Sequence, residues 1–346
     1  MSKGTVLITG SNGYIASHVV GQFLDAGFSV RGTVRSLNSA KGLQEVLKSY
    51  VDSGALTFVE VPDITVEGAF DEAVKGVYAI VHMATPVSLQ FTDPEPVLKT
   101  AVGGVRTILN SAIEKAGPQL KVIVDTSSIT TIFEEKEPPY TFTDDHWNGV
   151  AEKMVQELGT KTPGPVIYAA SKVAAEKEFW AFREQKKPSF AMTTTHPALV
   201  LGPALVAPAS PEKINETNIH VWAQFAGGPV KPHASPNRET YVDVRDVARI
   251  HVWAVEHYQE ADGQRYLVVG GRQTGQSIAD VLRAEYPDRK DIIQAGNPGE
   301  GYNKEYVYDR DGVYFDASKV EKATGQGWIP FDQSIRDSAK AFERYL

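Results

Sequence analysis

The chain has 346 residues, with 35 lysines and arginines against 43 aspartates and glutamates, eight histidines and no cysteine. That length supports one large or two ordinary domains around a proper core, and the formal charge of −8 argues against nucleic acid or an anionic membrane surface as main partner. Without cysteine there is no disulfide, thiolate metal site or sulfur nucleophile; no two histidines stand at the four-residue spacing that pairs ligands on a helix, and no apolar run approaches membrane-spanning length. The expectation is a metal-free cytoplasmic protein, monomeric or homodimeric.

From the N-terminus, the apolar run Val6 to Ile8 meets Gly10, and Ile15, Val19, Val20, Phe23 and Leu24 then form a helical stripe that ends at Gly27. Gly10 can take backbone angles closed to other residues, and Gly13 has no side chain to keep a pyrophosphate from the first helical amides. The same Gly-x-x-Gly spacing also occurs in ordinary tight turns, so this stretch needs support from the rest of the chain. Ser29 to Val34 reads as a second strand. Its tip, Thr33-Val34-Arg35-Ser36, has no acid to bind the 2′-hydroxyl of NAD but carries a guanidinium suited to a phosphate, which favours NADP. Lys41 offers a second positive contact or is a solvated loop lysine, and Arg31 is structural.

Leu56 to Val61 reads as a third strand and ends in Pro62-Asp63-Ile64, where the acid either accepts from the adenine amino group or caps a helix. Val77 to Met83 is a strand covered on both faces, followed by the small Ala84-Thr85-Pro86, past which a cofactor ribose can run. Val97 to Ala116 is a long helix ended by Gly117-Pro118, and Lys121 to Asp125 a fifth strand. Such alternation indicates an α/β fold with a doubly wound parallel sheet (Rossmann), whose ligand lies beyond the carboxyl ends of the strands. Glu134 to Gly164 reads as surface loops, and the rhythm resumes with a helix from Tyr168 to about Lys186 and a strand from Phe190 to His196. After Pro197, prolines at 203, 208, 211, 229, 232 and 236 suggest a lid; Tyr241 to His257 is a helix-bearing unit and Tyr266 to Val269 a late strand. Residues 1–197, completed by about 240–270, are expected to bind NADP; 198–239 and 271–346 form a smaller substrate-binding domain.

Two stretches carry chemistry. Tyr168 and Lys172, four apart on one helix, project from the same face, and a cation beside a phenol of reference pKa about 10 turns it into a usable general acid. Thr126-Ser127-Ser128 puts hydroxyls at a strand's carboxyl end, where one can hold a substrate carbonyl. Phe91, Phe133, Trp222 and Phe225 either border an apolar pocket or pack in the core.

Taken together and in this order, Thr-Gly-x-x-Gly-x-x-Ala at 9–16, Val-Arg-Gly-Thr-Val-Arg at 30–35, His-Met-Ala-Thr-Pro at 82–86, Thr-Ser-Ser at 126–128 and Tyr-x-x-x-Lys at 168–172 resemble an extended short-chain dehydrogenase/reductase. Within that family the chain is similar, over nearly its whole length, to dihydroflavonol reductases, cinnamoyl-CoA reductases and fungal aldehyde or methylglyoxal reductases. Asp145-His146-Trp147-Asn148 and the stretch from Tyr241 to Ala248 are similar to the fungal members. The resemblance implies that Tyr168 protonates the carbonyl oxygen, Lys172 tunes the phenol and holds the nicotinamide ribose, and Ser128, with Ser127 as rival, bonds the substrate oxygen. It places Pro197 beside the nicotinamide amide and Arg35 on the NADP phosphate. The expected cofactor-binding set is Gly10, Asn12, Gly13, Tyr14, Ile15, Arg35, Lys41, Asp63, Ile64, Ala84, Thr85, Thr126, Tyr168, Lys172, Pro197 and Val200. Ala16 replaces the third glycine, and Ala101 stands where many extended members carry asparagine, so no fourth catalytic residue is assumed. The expected function is NADPH-dependent reduction of an aldehyde or ketone to an alcohol; a nucleotide-sugar epimerase or dehydratase and a non-catalytic NADPH-binding protein are the alternatives.

Overall fold

The computed structural model describes residues 2–231, 239–307 and 312–346, so the prolines at 232 and 236 lie outside the described residues. The chain divides into two compact units, one of Met1–Glu134, Asp145–His196 and Ala248–Tyr266, the other of Glu135–Asp144, Pro197–Val247 and Leu267–Leu346. The first is built on a seven-stranded sheet: β1 (Thr5–Ile8), β2 (Ser29–Val34), β3 (Leu56–Glu60), β4 (Ala79–His82), β5 (Val122–Thr126), β6 (Ala191–Pro197) and β7 (Arg265–Val268). Their spatial order is β7-β6-β5-β4-β1-β2-β3, and every pairing from β3 across to β6 is parallel. This is the doubly wound Rossmann arrangement. The strand order reverses between β1 and β4, which puts the ligand crevice beyond their carboxyl ends.

Parallel register aligns like side chains across the sheet. Leu7 lies beside Ile80, Ile80 beside Ile123 and Ile123 beside Met192. These four pack with Val105, Ile108 and Leu109 of α2 (Pro94–Ser111) and Phe179 of α3 (Gly164–Lys186) in one fully buried core. Each such side chain contributes about 1.5–3 kcal/mol. Two residues further along each strand the same face turns polar: His82 lies beside Asp125, and Asp125 beside Thr194. The sheet is therefore apolar in its middle and polar at the end that faces the crevice.

Several boundaries differ from expectation. The helix α2 begins earlier, N-capped by Asp93, whose Oδ1 accepts from the Glu95 amide at 3.1 Å, and a wider helical turn carries it on to Ala116. The helix α3 starts at Gly164, one turn before Tyr168, because glycine alone fits there: a Cβ would lie 2.3 Å from the Leu89 carbonyl oxygen. The stretch expected to be loop, Glu134 to Gly164, contains a helix at Ala151–Leu158, started by Asn148, whose Oδ1 accepts from the Val150 and Ala151 amides at 3.0 Å. Only Ala151 of that helix is fully buried, so its apolar stripe was too thin to read. Gly32 in β2 has a steric reason of its own. A Cβ there would meet Ser11 Oγ at 2.4 Å, so Gly32→Ala is expected to push the glycine turn away and cost about 1–3 kcal/mol, read as a lower midpoint in urea unfolding.

In the second unit Thr240–Asp243 is the middle strand of a small sheet, antiparallel to Gly271–Arg272 and parallel to Val200–Leu201. Its core packs the helices Ile219–Phe225, Gly275–Glu285 and Phe331–Phe342 through Phe225, Leu282, Phe331 and Ile335. Trp222 stands edge-on to Phe342 and Tyr345, with ring centroids 5.8 and 5.7 Å away, so Trp222 and Phe225 pack in this core. Among the described residues no helix is long and apolar enough to cross a membrane.

Candidate active site

At the crevice end of β1, Gly10 has φ +63, a left-handed conformation suited to glycine, and a Cβ on it would come 3.3 Å from the Ala84 Cα. The glycine turn and the segment after β4 are thus in contact. The Gly13 amide donates to the Gly10 carbonyl at 2.9 Å, and Gly13 is the N-cap of α1 (Tyr14–Asp25), which Ile15 continues. That cap has no side chain and the first turn no acid, so the positive end of the helix is left for an anion. Ser11 fastens the turn to β2 through its amide and its Oγ, which donate to the Thr33 carbonyl at 3.0 and 3.1 Å. Asn12 Nδ2 reaches the Ser39 carbonyl at 3.3 Å.

Arg35, just past β2, and Lys41 are both exposed, and neither enters an ion pair among the described residues. Lys41 is not a loop residue; it opens the short helix Lys41–Val46, after a tight turn whose Leu37 amide donates to Glu60 Oε2 at 2.9 Å. Asp63 neither caps a helix nor stands idle. Its Oδ1 accepts from the Thr65 hydroxyl at 2.7 Å and the Thr65 amide at 2.8 Å, and these two bonds hold its carboxyl below the usual range. A Cβ at Gly104 would meet Ile64 Cδ1 at 2.8 Å and the Ala84 carbonyl oxygen at 3.8 Å, so α2 closes on both residues. Thr85 Oγ1 is buried there without a hydrogen-bond partner. Pro197 ends β6 and Val200 lies in the small sheet; both belong to the second unit.

Beyond β5 the turn 126–128 is held residue by residue. The Thr126 carbonyl accepts from Lys172 Nζ at 2.8 Å, while the Thr126 hydroxyl and Thr195 Oγ1 lie 2.8 and 3.1 Å from His251 Nε2. Ser127 donates to Glu176 Oε2 at 2.6 Å. Ser128 Oγ accepts from the Thr130 amide at 3.2 Å, which leaves its own proton uncommitted. Tyr168 is half-buried on α3, one turn before Lys172, and its hydroxyl bonds to no described residue. The structure therefore brings Lys172 to the foot of the serine turn and separates the two serines by chemistry: Ser127 is engaged, and Ser128 has a donor to give.

Four groups of this layer escaped the sequence reading. Glu176, wholly buried, also accepts at Oε1 from His196 Nε2 at 2.9 Å and Arg265 Nε at 2.7 Å. Burial alone would raise its carboxyl, but His196 and Arg265 hold it well below the usual range. Arg265 in turn donates to the His146 carbonyl at 2.7 Å and stacks on Trp147, 4.0 Å from the ring centroid. His82 is kept neutral, pushed down to about 3 by burial and then by Lys172. The Thr9 hydroxyl accepts from the Met83 and Ala84 amides at 2.9 Å, so its proton goes to His82 Nδ1 at 3.0 Å. Asp125 is the fourth. The helical spacing that pairs Tyr168 with Lys172 continues to Glu176, which could have marked it.

A doubly wound sheet with a glycine turn at its switch point and a tyrosine–lysine helix beside β5 is the build of the extended short-chain dehydrogenase/reductases. The chain belongs to this group, the NAD dependent epimerase/dehydratase family, whose model matches residues 6–270. It is 33% identical over 342 residues to the ketoreductase azaE of Aspergillus niger, covering 96% of each chain. It is 30% identical over 358 residues to the NADPH-dependent methylglyoxal reductase GRE2 of Saccharomyces cerevisiae, covering 99% of this chain and 98% of that one. The crystal structure of yeast methylglyoxal/isovaleraldehyde reductase Gre2 complexed with NADPH superposes with a TM-score of 0.84 at 28% identity, over 99% of this chain and 100% of that one.

Proposed function

We propose that this chain is an NADPH-dependent carbonyl reductase that converts an aldehyde or ketone to the alcohol. The observation that carries the reading is the bond from Lys172 Nζ to the Thr126 carbonyl, on the helical stripe that also presents the unengaged Tyr168 hydroxyl. The residues also fit a dinucleotide. Gly10 is left-handed at the helix start, Thr85 Oγ1 is an orphaned polar atom beside the crevice, and Arg35 enters no ion pair among the described residues. When bound, NADPH supplies the hydride.

Ser128 donates its free proton in a hydrogen bond to the substrate oxygen and orients the carbonyl; Ser127, committed to Glu176, does not. Tyr168 delivers its proton to the same oxygen, and the Lys172 ammonium stabilises the phenolate that remains. Gly10, Asn12, Gly13, Tyr14 and Ile15 hold the pyrophosphate, Asp63 and Ile64 the adenine, Ala84, Thr85, Thr126 and Lys172 the nicotinamide half, and Arg35 and Lys41 the 2′-phosphate. The names of the relatives, a ketoreductase and an NADPH-dependent methylglyoxal reductase, support the same chemistry. Loss of Arg35 removes a charge-assisted pair worth about 1.5–3 kcal/mol. Arg35→Ser is expected to raise the KM for NADPH about 10- to 100-fold with kcat held, and to leave the KM for NADH unchanged. Equal KM values for the two reduced cofactors in the unsubstituted enzyme would contradict the assignment.

A further inference from the structure

Asp125 has no place in the mechanism above, yet it is a buried acid next in the chain to Thr126, whose carbonyl the lysine holds. It is 3% exposed in the polar row near the crevice end of β5, beside His82 of β4 and Thr194 of β6. Its carboxyl group forms no hydrogen bond with any described residue. Lys172 of α3, 4% exposed, bonds through its ammonium to the carbonyl of the very next residue, Thr126. The other acid on α3, Glu176, already carries His196 of β6 and Arg265 of β7. His82 is neutral, Thr194 uncharged, and the residues that α2 packs into the core with Ile80 and Ile123, Ala101 and Val105, are apolar. Asp125 is thus the one uncommitted counter-charge to Lys172 among these groups. Burial pushes its carboxyl up to about 6 against the pull of Lys172 and with a push from Glu176, so it is ionised at neutral pH.

We propose that Asp125 is a positioning residue for charge: its buried carboxylate partly offsets the Lys172 ammonium, so that the proton stays on Tyr168 until the substrate carbonyl takes it. An ammonium alone favours phenolate, the form that serves alcohol oxidation; carbonyl reduction needs the phenol. The acid biases the site toward reduction without touching substrate. This rests on the reading of Tyr168 as proton donor.

The test uses the full chain labelled with 13C at tyrosine Cζ, the Tyr168 resonance being the one missing in Tyr168→Phe. In Asp125→Asn the titration of Tyr168 is expected to move down by roughly one pH unit, the scale of a unit charge several ångströms away in a protein interior. The high-pH fall of kcat for reduction moves with it, while Asp125→Glu leaves both in place. Below pH 5 the native acid is itself protonated, so the native enzyme and Asp125→Asn converge in kcat. Where Asp125→Asn fails to fold, the native Tyr168 resonance carries the test through a second inflection near pH 6 as Asp125 ionises. Unchanged Tyr168 titration in Asp125→Asn, or no such inflection in the native protein, overturns the proposal and leaves the reductase reading standing. Full activity of Tyr168→Phe overturns the reductase reading instead.

Discussion

Tyr168→Phe is expected to lower kcat for carbonyl reduction by about 100- to 10,000-fold, the usual contribution of a positioned proton donor. The substitution deletes one oxygen, and that oxygen bonds to no described residue. The fold and the glycine turn are therefore left alone, and the dissociation constant for NADPH, read by fluorescence, is expected to stay within about twofold. A fall in kcat together with an unchanged constant for NADPH assigns Tyr168 to the chemical step. Weaker cofactor binding with kcat retained assigns it to holding the ribose.

Glu176→Ala is expected to produce the largest loss of stability. The carboxylate is buried and carries Ser127, His196, Arg265 and, at 3.2 Å, Trp180 Nε1. Truncating it takes the carboxylate away from Arg265 Nε, whose side chain is 11% exposed, and breaking a buried pair from one side costs about 3–5 kcal/mol. Urea unfolding reads this directly. The pH dependence has a definite sign. Because the folded carboxyl lies below its unfolded value of about 4.3, its stabilisation is present above that value and is lost as pH falls through the folded one. The gap between native protein and Glu176→Ala is thus expected to hold from pH 8 to pH 5 and to narrow only in stronger acid. A midpoint for Glu176→Met as low as that for Glu176→Ala would locate the loss in the arginine and histidine deprived of the carboxylate, and rescue by methionine would locate it in the lost volume instead.

The parts of the fold legible in the sequence were those whose cause is local. The run Val6–Ile8, the stripe from Ile15 to Leu24 and the boundaries Ser29 and Val34 of β2 follow from apolar period and glycine punctuation alone. The helix at Ala151–Leu158 was missed because it buries a single residue fully, and Lys41 was misplaced because a tight turn runs straight into its helix. For the site, the spacing of Tyr168 and Lys172 fixed the stripe, while the choice between Ser127 and Ser128 needed the third dimension: Glu176 takes one and leaves the other. Asp125, His82 and Thr194 form one polar row only because three strands lie side by side in register, a fact that no window of sequence contains.

The most direct measurement is the absorbance of NADPH after the purified chain is mixed with a panel of small aldehydes and ketones, the alcohol being quantified in the same samples. The expected result is NADPH consumed in equal amount to alcohol formed, with kcat/KM at least tenfold below this for NADH. No consumption across the panel, or tightly bound NAD in the isolated protein together with turnover of a nucleotide sugar, would contradict it.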